Sequence, residues 1–283
     1  MKRPETGTIC HLDPDAAGIE KVAAFGLRCS QVSSWEPDLW TPALARRLKA
    51  RAADAGVRLT AIWTGYSGPR AWNFTRGPVT LGLVPVAYRD LRVRELKRGA
   101  EFAAEAGAPA IITHCGFLPE NMTDPEFEGV AAAIDDVARR CRELGLGFWF
   151  ETGQETPVTL LRFIEEIGLD NLGVNLDPAN LVMYGKGSPL DAVAVFGKYV
   201  RAIHAKDGNP PSNGRNLGPE VKVGTGAVRY PEFLPALLDC GFRGDLTIER
   251  EISGEEQSRD IRDTVTYLDS LLDEYERTRP DAP

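Results

Sequence analysis

Short apolar runs recur along the chain, most of them entered just after a glycine, and each is followed by a longer stretch with helical spacing of its apolar positions. The runs fall at 7–10, 28–32, 57–63, 110–114, 147–150, 172–176, 200–204 and 246–249. Their length and their near-continuous apolar character predict strands buried on both faces. Between them the spacing predicts helices over 14–25, 42–55, 90–106, 125–144, 157–167, 189–196, 231–239 and 255–275. The helix at 157–167 is typical, with Leu160, Leu161, Ile164 and Ile167 on one face. Five helix starts pair a capping residue with a proline suited to the first helical position: Asp13-Pro14, Thr41-Pro42, Asp124-Pro125, Thr156-Pro157 and Ser188-Pro189. Six glycines, Gly26, Gly56, Gly107, Gly145, Gly168 and Gly241, stand where helices should stop. Two connections are long, 64–89 and 207–229, and loops of that length usually serve function or move. Within the second, Lys222, Gly224 and Gly226 lie in a turn expected to close a hairpin; no helix follows directly, so it is not a phosphate loop. Residues 276–283 read as a frayed tail.

Eight strands alternating with eight helices call for parallel pairing and right-handed crossovers. Eight such units point to an α/β fold, a single (β/α)₈ TIM barrel occupying 1–283 with its core at about 7–275. The chain length of 283 residues suits a barrel, which needs about 250. An open doubly wound sheet is the alternative, but no G-x-G-x-x-G follows the first strand.

The net charge of −8 argues against a nucleic-acid partner, whose phosphates need a basic footprint. No apolar run has the length of a membrane span or of a signal-peptide core, so a cytoplasmic enzyme without a membrane partner is expected. The five cysteines are odd in number and scattered, which suits free thiols in a reducing compartment.

Chemistry concentrates at the strand ends. Glu151 closes the fifth strand, Asp177 the sixth, His204 the seventh and Glu249 the eighth. In a barrel these four converge on one mouth. Three carboxylates held close together call for a compensating cation. One nitrogen with several oxygens suits a single divalent metal ion, Mn²⁺, Mg²⁺ or Co²⁺ ahead of Zn²⁺ or Fe²⁺. Each residue also has a plainer reading: Asp177, before Pro178, as a helix cap; His204 as a satisfied core histidine; Glu249 as part of a charged surface patch.

The stretches GFWFETGQETP (147–157), VNLDPANL (174–181), IHAKD (203–207) and TIEREI (247–252) resemble the sugar phosphate isomerase/epimerase superfamily, the xylose isomerase-like TIM barrels that include ketose 3-epimerases and inosose dehydratases. The resemblance implies a divalent metal held by Glu151, Asp177, His204 and Glu249. It further implies that Glu151 and Glu249 are catalytic, exchanging a proton with the carbon beside a carbonyl through a cis-enediolate. The activity so implied is a metal-dependent sugar isomerase or epimerase acting on a small sugar or polyol, with an inosose-type dehydratase as the runner-up. Asn180 stands where similar ketose 3-epimerases carry a histidine, and Pro210 where they carry an arginine; both family residues hold substrate hydroxyls. The substrate contacts expected here are His114, Asn180, Lys206 and Asp207. A buried hydrogen-bonded histidine is the alternative for His114, and an ion pair for Lys206 with Asp207. An endonuclease-like phosphodiesterase would need a histidine cluster and a basic surface, and the chain has three histidines. A metal-stabilised sugar-binding module is the non-enzymatic alternative. A homo-oligomer packed through the mouth loops is compatible with all of these.

Overall fold

The computed structural model describes residues 3–279. Eight parallel strands close into a barrel: β1 (Thr6–His11), β2 (Cys29–Ser34), β3 (Arg58–Thr64), β4 (Ala110–Thr113), β5 (Gly147–Glu151), β6 (Leu172–Leu176), β7 (Val200–Ala205) and β8 (Leu246–Ile248). Closure comes from β1 pairing with β8, with Gly7 opposite Thr247. The helices are α1 (Gly18–Ala24), α2 (Pro42–Ala55), α3 (Val86–Ala106), α4 (Phe127–Glu143), α5 (Pro157–Ile167), α6 (Pro178–Met183), α7 (Pro189–Phe196), α8 (Tyr230–Asp239) and α9 (Glu255–Thr278). The sequence therefore predicts the strand set and the barrel correctly. The expected tail at 276–283 is helical as far as Thr278, and 280–283 lie outside the described residues.

Capping explains where several helices begin. Thr41 accepts from the Leu44 amide, Thr156 from the Thr159 amide and Ser188 from the Asp191 amide, each with proline next in the chain. The two Asp-Pro starts behave differently. Asp13 takes the amides of Asp15, Ala17 and Gly18, so a turn is wound around its carboxylate and α1 begins only at Gly18. Asp124 accepts from the Glu126 amide, and α4 begins at Phe127. Two further departures lie near the mouth. Helix α3 starts at Val86, ahead of the expected 90, and α6 is a short helix directly after β6 that the apolar pattern does not predict.

Apolar residues form two layers. The larger lies between strands and helices; the smaller, Ala61, Trp63, Ala110 and Ile112 with Ile9 and Trp149 against it, uses the alternate strand positions and fills the barrel. The position of Glu151 follows from this alternation, since it is two residues beyond the inward Trp149 and so points inward as well.

The long connections cover the mouth. The fully buried Arg92 of α3 donates to the carbonyls of Ser67, Pro69 and Gly82 and stacks on Tyr66 and Tyr88, pinning the loop after β3. That loop meets the turn after β4 backbone to backbone: Gly82 has φ +71°, and a Cβ there would lie 1.9 Å from the Cys115 carbonyl oxygen. The second connection carries a two-residue antiparallel ladder, Asp207–Gly208 with Glu220–Val221. The expected hairpin is thus present, but 222–226 are not its tip; they wrap the Asp207 carboxylate, which accepts from the amides of Gly208, Gly224, Gly226 and Val228. The two long loops touch where the Phe74 amide donates to the Arg215 carbonyl at 3.2 Å.

Candidate metal centre

Glu151 is the last residue of β5, Asp177 and Glu249 come one residue after β6 and β8, and His204 lies in β7. One ligand atom from each of these four buried residues lies within 4.8 Å of all the others. His204 Nδ1 is 2.7 Å from Glu151 Oε1 and 3.0 Å from Glu249 Oε2. None of these approaches is a hydrogen bond. Glu151 Oε1, Asp177 Oδ2, His204 Nδ1 and Glu249 Oε2 are all buried without a hydrogen-bond partner. Buried polar atoms are almost always paired, and four unpaired atoms converging on one point are what a cation would satisfy.

The outer partners of these groups fix their orientation. Asp177 divides its two oxygens: Oδ1 caps α6 through the Asn180 amide at 2.9 Å, and Oδ2 faces the cluster. The cap reading of Asp177 is met by Oδ1, and Oδ2 is left free for the ligand role. Thr152 clamps the same turn, its hydroxyl accepting from the Asp177 amide at 2.8 Å and donating to the Asp177 carbonyl at 2.9 Å. A directional chain runs the other way. Asn175 Nδ2 donates to Glu151 Oε2, Gln31 Nε2 donates to Asn175 Oδ1 at 2.9 Å, and Gln31 Oε1 lies 2.6 Å from His204 Nε2. Since the chain ends on a carboxylate, Gln31 Oε1 must be the acceptor and His204 Nε2 the donor. Nδ1 is then the nitrogen that faces the cluster, and in the neutral ring it carries the lone pair a metal ligand requires.

The electrostatics favour positive charge at this point. Burial raises the Asp177 and Glu151 carboxyls above their usual range. Burial also opposes charge on His204, yet Glu151 and Glu249 together carry its imidazole up to about 10, so without a cation a proton on Nδ1 takes the place of one, and an ion binding there must displace it. Glu249 is held low because Lys206 and His204 outweigh the burial penalty. The residues present fit a divalent ion: one imidazole nitrogen, three carboxylate oxygens, and a local field that attracts a cation.

Beside the cluster lies a cavity of about 270 Å³ bounded by Trp63, Trp72, His114, Asn180, Tyr184 and Lys206. Three of the four expected substrate contacts, His114, Asn180 and Lys206, line it. Asp207 does not, since its oxygens are taken by the four amides of the mouth loop. Lys206 Nζ is 2.7 Å from Glu251 and within 3.6 Å of Asp177 and Glu249. Burial pushes His114 down to about 3, so it is neutral across the physiological range. Its Nδ1 and the Tyr184 hydroxyl, both on the cavity lining, are buried beside the Gln154 amide without a well-formed hydrogen bond. They are polar groups available to a ligand. Cys115, next to His114, is buried, and burial pushes its thiol well up, the state of an inert packing residue.

Gln31, Asn175 and Tyr184 are absent from the residues that the sequence singles out. Gln31 and Asn175 carry one usable signal, a lone amide in an otherwise apolar or small-residue strand. Tyr184 carries none, because α6 is not foreseen.

A closed parallel barrel with a buried three-carboxylate, one-histidine cluster at its mouth defines a class that the comparisons narrow. The chain matches the model of the xylose isomerase-like TIM barrel family over residues 19–271, and it belongs to that family. It is similar to a xylose isomerase domain protein from Planctomyces limnophilus, at 33% identity and a TM-score of 0.87, covering 98% of this chain and 99% of that one. A D-tagatose 3-epimerase-like protein shares the fold at 18% identity, with a TM-score of 0.75 and 97% and 99% of the two chains covered. So does a xylose isomerase-like protein from Mycobacterium smegmatis in complex with magnesium, at 17% identity, a TM-score of 0.68, and 97% and 98% covered. An uncharacterised protein of Methanocaldococcus jannaschii is 23% identical over 198 residues, so the match spans 66% of this chain and 63% of that protein's length.

Proposed function

We propose that the protein is a divalent-metal-dependent sugar isomerase or epimerase that moves a proton on the carbon next to a carbonyl. The observation that carries this reading is the set of four buried, unpartnered ligand atoms, two of them belonging to glutamates, at the edge of a polar cavity. Glu151, Asp177, His204 and Glu249 would hold the ion. When bound, it would supply a Lewis acid that polarises a carbonyl and a neighbouring hydroxyl. The protein's own groups account for the rest. Glu249, which lines the cavity, is the glutamate placed to take a proton from a substrate there. Glu151, fixed through Oε2 by Asn175, would return the proton from the opposite face. Lys206, His114 and Tyr184 orient the oxygens of the substrate, and Trp63 and Trp72 exclude water from the reacting carbons. Sugar epimerases among the structural neighbours, including a D-psicose 3-epimerase solved in the presence of D-fructose, support the same chemistry.

The test is deuterium uptake from heavy water into a panel of ketoses by Mn²⁺-loaded protein. We expect uptake at the carbon beside the carbonyl, and a loss of about 10²–10⁴-fold in Glu249→Gln and in Glu151→Gln. Sugar binding that persists without any exchange would instead favour a metal-stabilised sugar-binding module.

A further inference from the structure

The cavity that holds His114, Asn180 and Lys206 is not the whole of the mouth. A second cavity, about 340 Å³, opens on its other side, and the two share Trp63, Trp72, Glu249 and Glu251 as a common ledge. Four residues belong to the second alone: His11 at the end of β1, Ser33 in β2, Trp35 and Arg70. The first cavity, at about 270 Å³, is below the roughly 300–1,000 Å³ typical of pockets for drug-sized ligands; the two together fall within that range.

The composition of the second cavity is specific. Three of the five tryptophans of the chain line it. Trp72 is 40% exposed, the most open aromatic ring at the mouth, and is held on edge by Trp35 at 5.8 Å and His114 at 5.0 Å. Trp35 is itself locked: a Cβ on Gly65 would lie 2.2 Å from its ring, and the Arg70 guanidinium covers it at 5.1 Å. Arg70 is positioned by its own fold. Nη1 donates to the carbonyls of Tyr66 at 3.0 Å and Trp35 at 3.4 Å, and Arg70 makes no ion pair among the described residues. Its Nε and Nη2 donors thus remain for a ligand. Guanidinium donors and indole surface lining one cavity together suit a sugar ring, by hydroxyl hydrogen bonds and C–H contacts. The shared ledge carries two carboxylates, Glu249 and Glu251, against the single ammonium of Lys206 within reach of both, which disfavours an anionic group there.

From this arrangement we infer that the substrate carries a second, uncharged ring, joined by a glycosidic bond to the sugar at the metal centre, and that Trp72, Trp35, Arg70 and His11 form the subsite for that ring. The inference rests on the proposed sugar-binding role of the first cavity. It extends that role from free ketoses to ketoglycosides.

The experiment is calorimetric binding to Mn²⁺-loaded protein of ketosugars with the carbonyl at C2 or C3, each as the one-ring methyl glycoside and as the matching disaccharide. At least one disaccharide should bind about tenfold more tightly than its one-ring partner. Arg70→Ala and His11→Ala, both at exposed positions, should each remove most of that advantage and leave the methyl glycoside unchanged. Equal affinity throughout every pair, no binding by any member, or an Arg70→Ala variant that weakens both members alike would overturn the subsite. Deuterium exchange on the same samples reads the chemistry separately. A two-ring preference without exchange would remove enolisation and keep the subsite; exchange without a two-ring preference would do the reverse.

Discussion

His204 is oriented from both sides of its ring. Gln31 accepts from Nε2, and Gln31 is in turn fixed by Asn175, which binds Glu151. A leucine at position 31 would remove the acceptor and leave two buried groups unpaired, at a cost of about 1–3 kcal/mol. We therefore expect Gln31→Leu to weaken Mn²⁺ binding about 10–100-fold, as loss of an outer partner does at metal sites. Calorimetry on the purified variant checks this, and unchanged affinity would mean that Gln31 does not set the histidine tautomer. Glu155 gives a different kind of prediction. It is buried, and burial raises its carboxyl from 4.5 to about 8. Folding therefore takes up a proton between these values: the stability is fully present below about pH 4.5 and declines as pH rises toward 8. Glu155→Gln should melt with the wild type near pH 5 and roughly 5 °C above it near pH 9. Parallel melting profiles across that range would show that Glu155 does not carry the effect.

Among the elements, the loop after β3 is anchored mainly by one side chain. Arg92 supplies the donors for three loop carbonyls, more than any other side chain that holds this loop, among them Glu95 on the Ser67 amide, Tyr66 on the Gly82 amide and Arg89 on the Leu83 and Val84 carbonyls. In Arg92→Met the barrel strands keep their pairing, while the loop loses its anchor. The expected outcome is rapid limited proteolysis within 65–85 and a melting temperature lower by several degrees, with metal binding retained; a variant as resistant to protease as the wild type would contradict the anchoring role. The helix ends show why some elements are easier to read than others. Thr41, Thr156 and Ser188 cap as their local sequence predicts, because a hydroxyl reaches only the amides of the first turn. The Asp13 carboxylate reaches amides up to Gly18, five residues on, so it organises a turn instead and delays α1. Helix α6 has too few residues for a periodic signal; it is held by the Asp177 cap and by burial of its apolar side chains.

At the scale of the molecule, metal and fold should be coupled. Four strands each contribute one ligand, so the site exists only when the barrel is closed, and an ion that binds it favours the folded state. At a hundred times its dissociation constant, Mn²⁺ should add about 2.7 kcal/mol, or roughly 5–10 °C in melting temperature. The shift should be reversed by chelator and be absent in Asp177→Asn, where one ligand charge is lost; an equal shift in that variant would place the ion elsewhere.

Local sequence was enough for the strand set, the barrel and the four strand-end residues that the closed barrel gathers into one cluster. Each of those follows from local rules: apolar runs, capping residues, glycines after helices, and a charged residue where a strand ends. The Asp207 substrate role is where the local rules misled, because its partners are the amides of Gly224, Gly226 and Val228, far along the chain. Tertiary structure alone decided which way the ligand atoms face, since that depends on Gln31 from β2 meeting Asn175 from β6 and His204 from β7. It also decided the shape of the mouth. Trp35, Trp63 and Trp72 come from three separate segments, and only barrel closure together with the Arg92-anchored loop sets them around one cavity. Alternation along a strand can be read residue by residue; the convergence of side chains from distant strands is a property of the closed sheet.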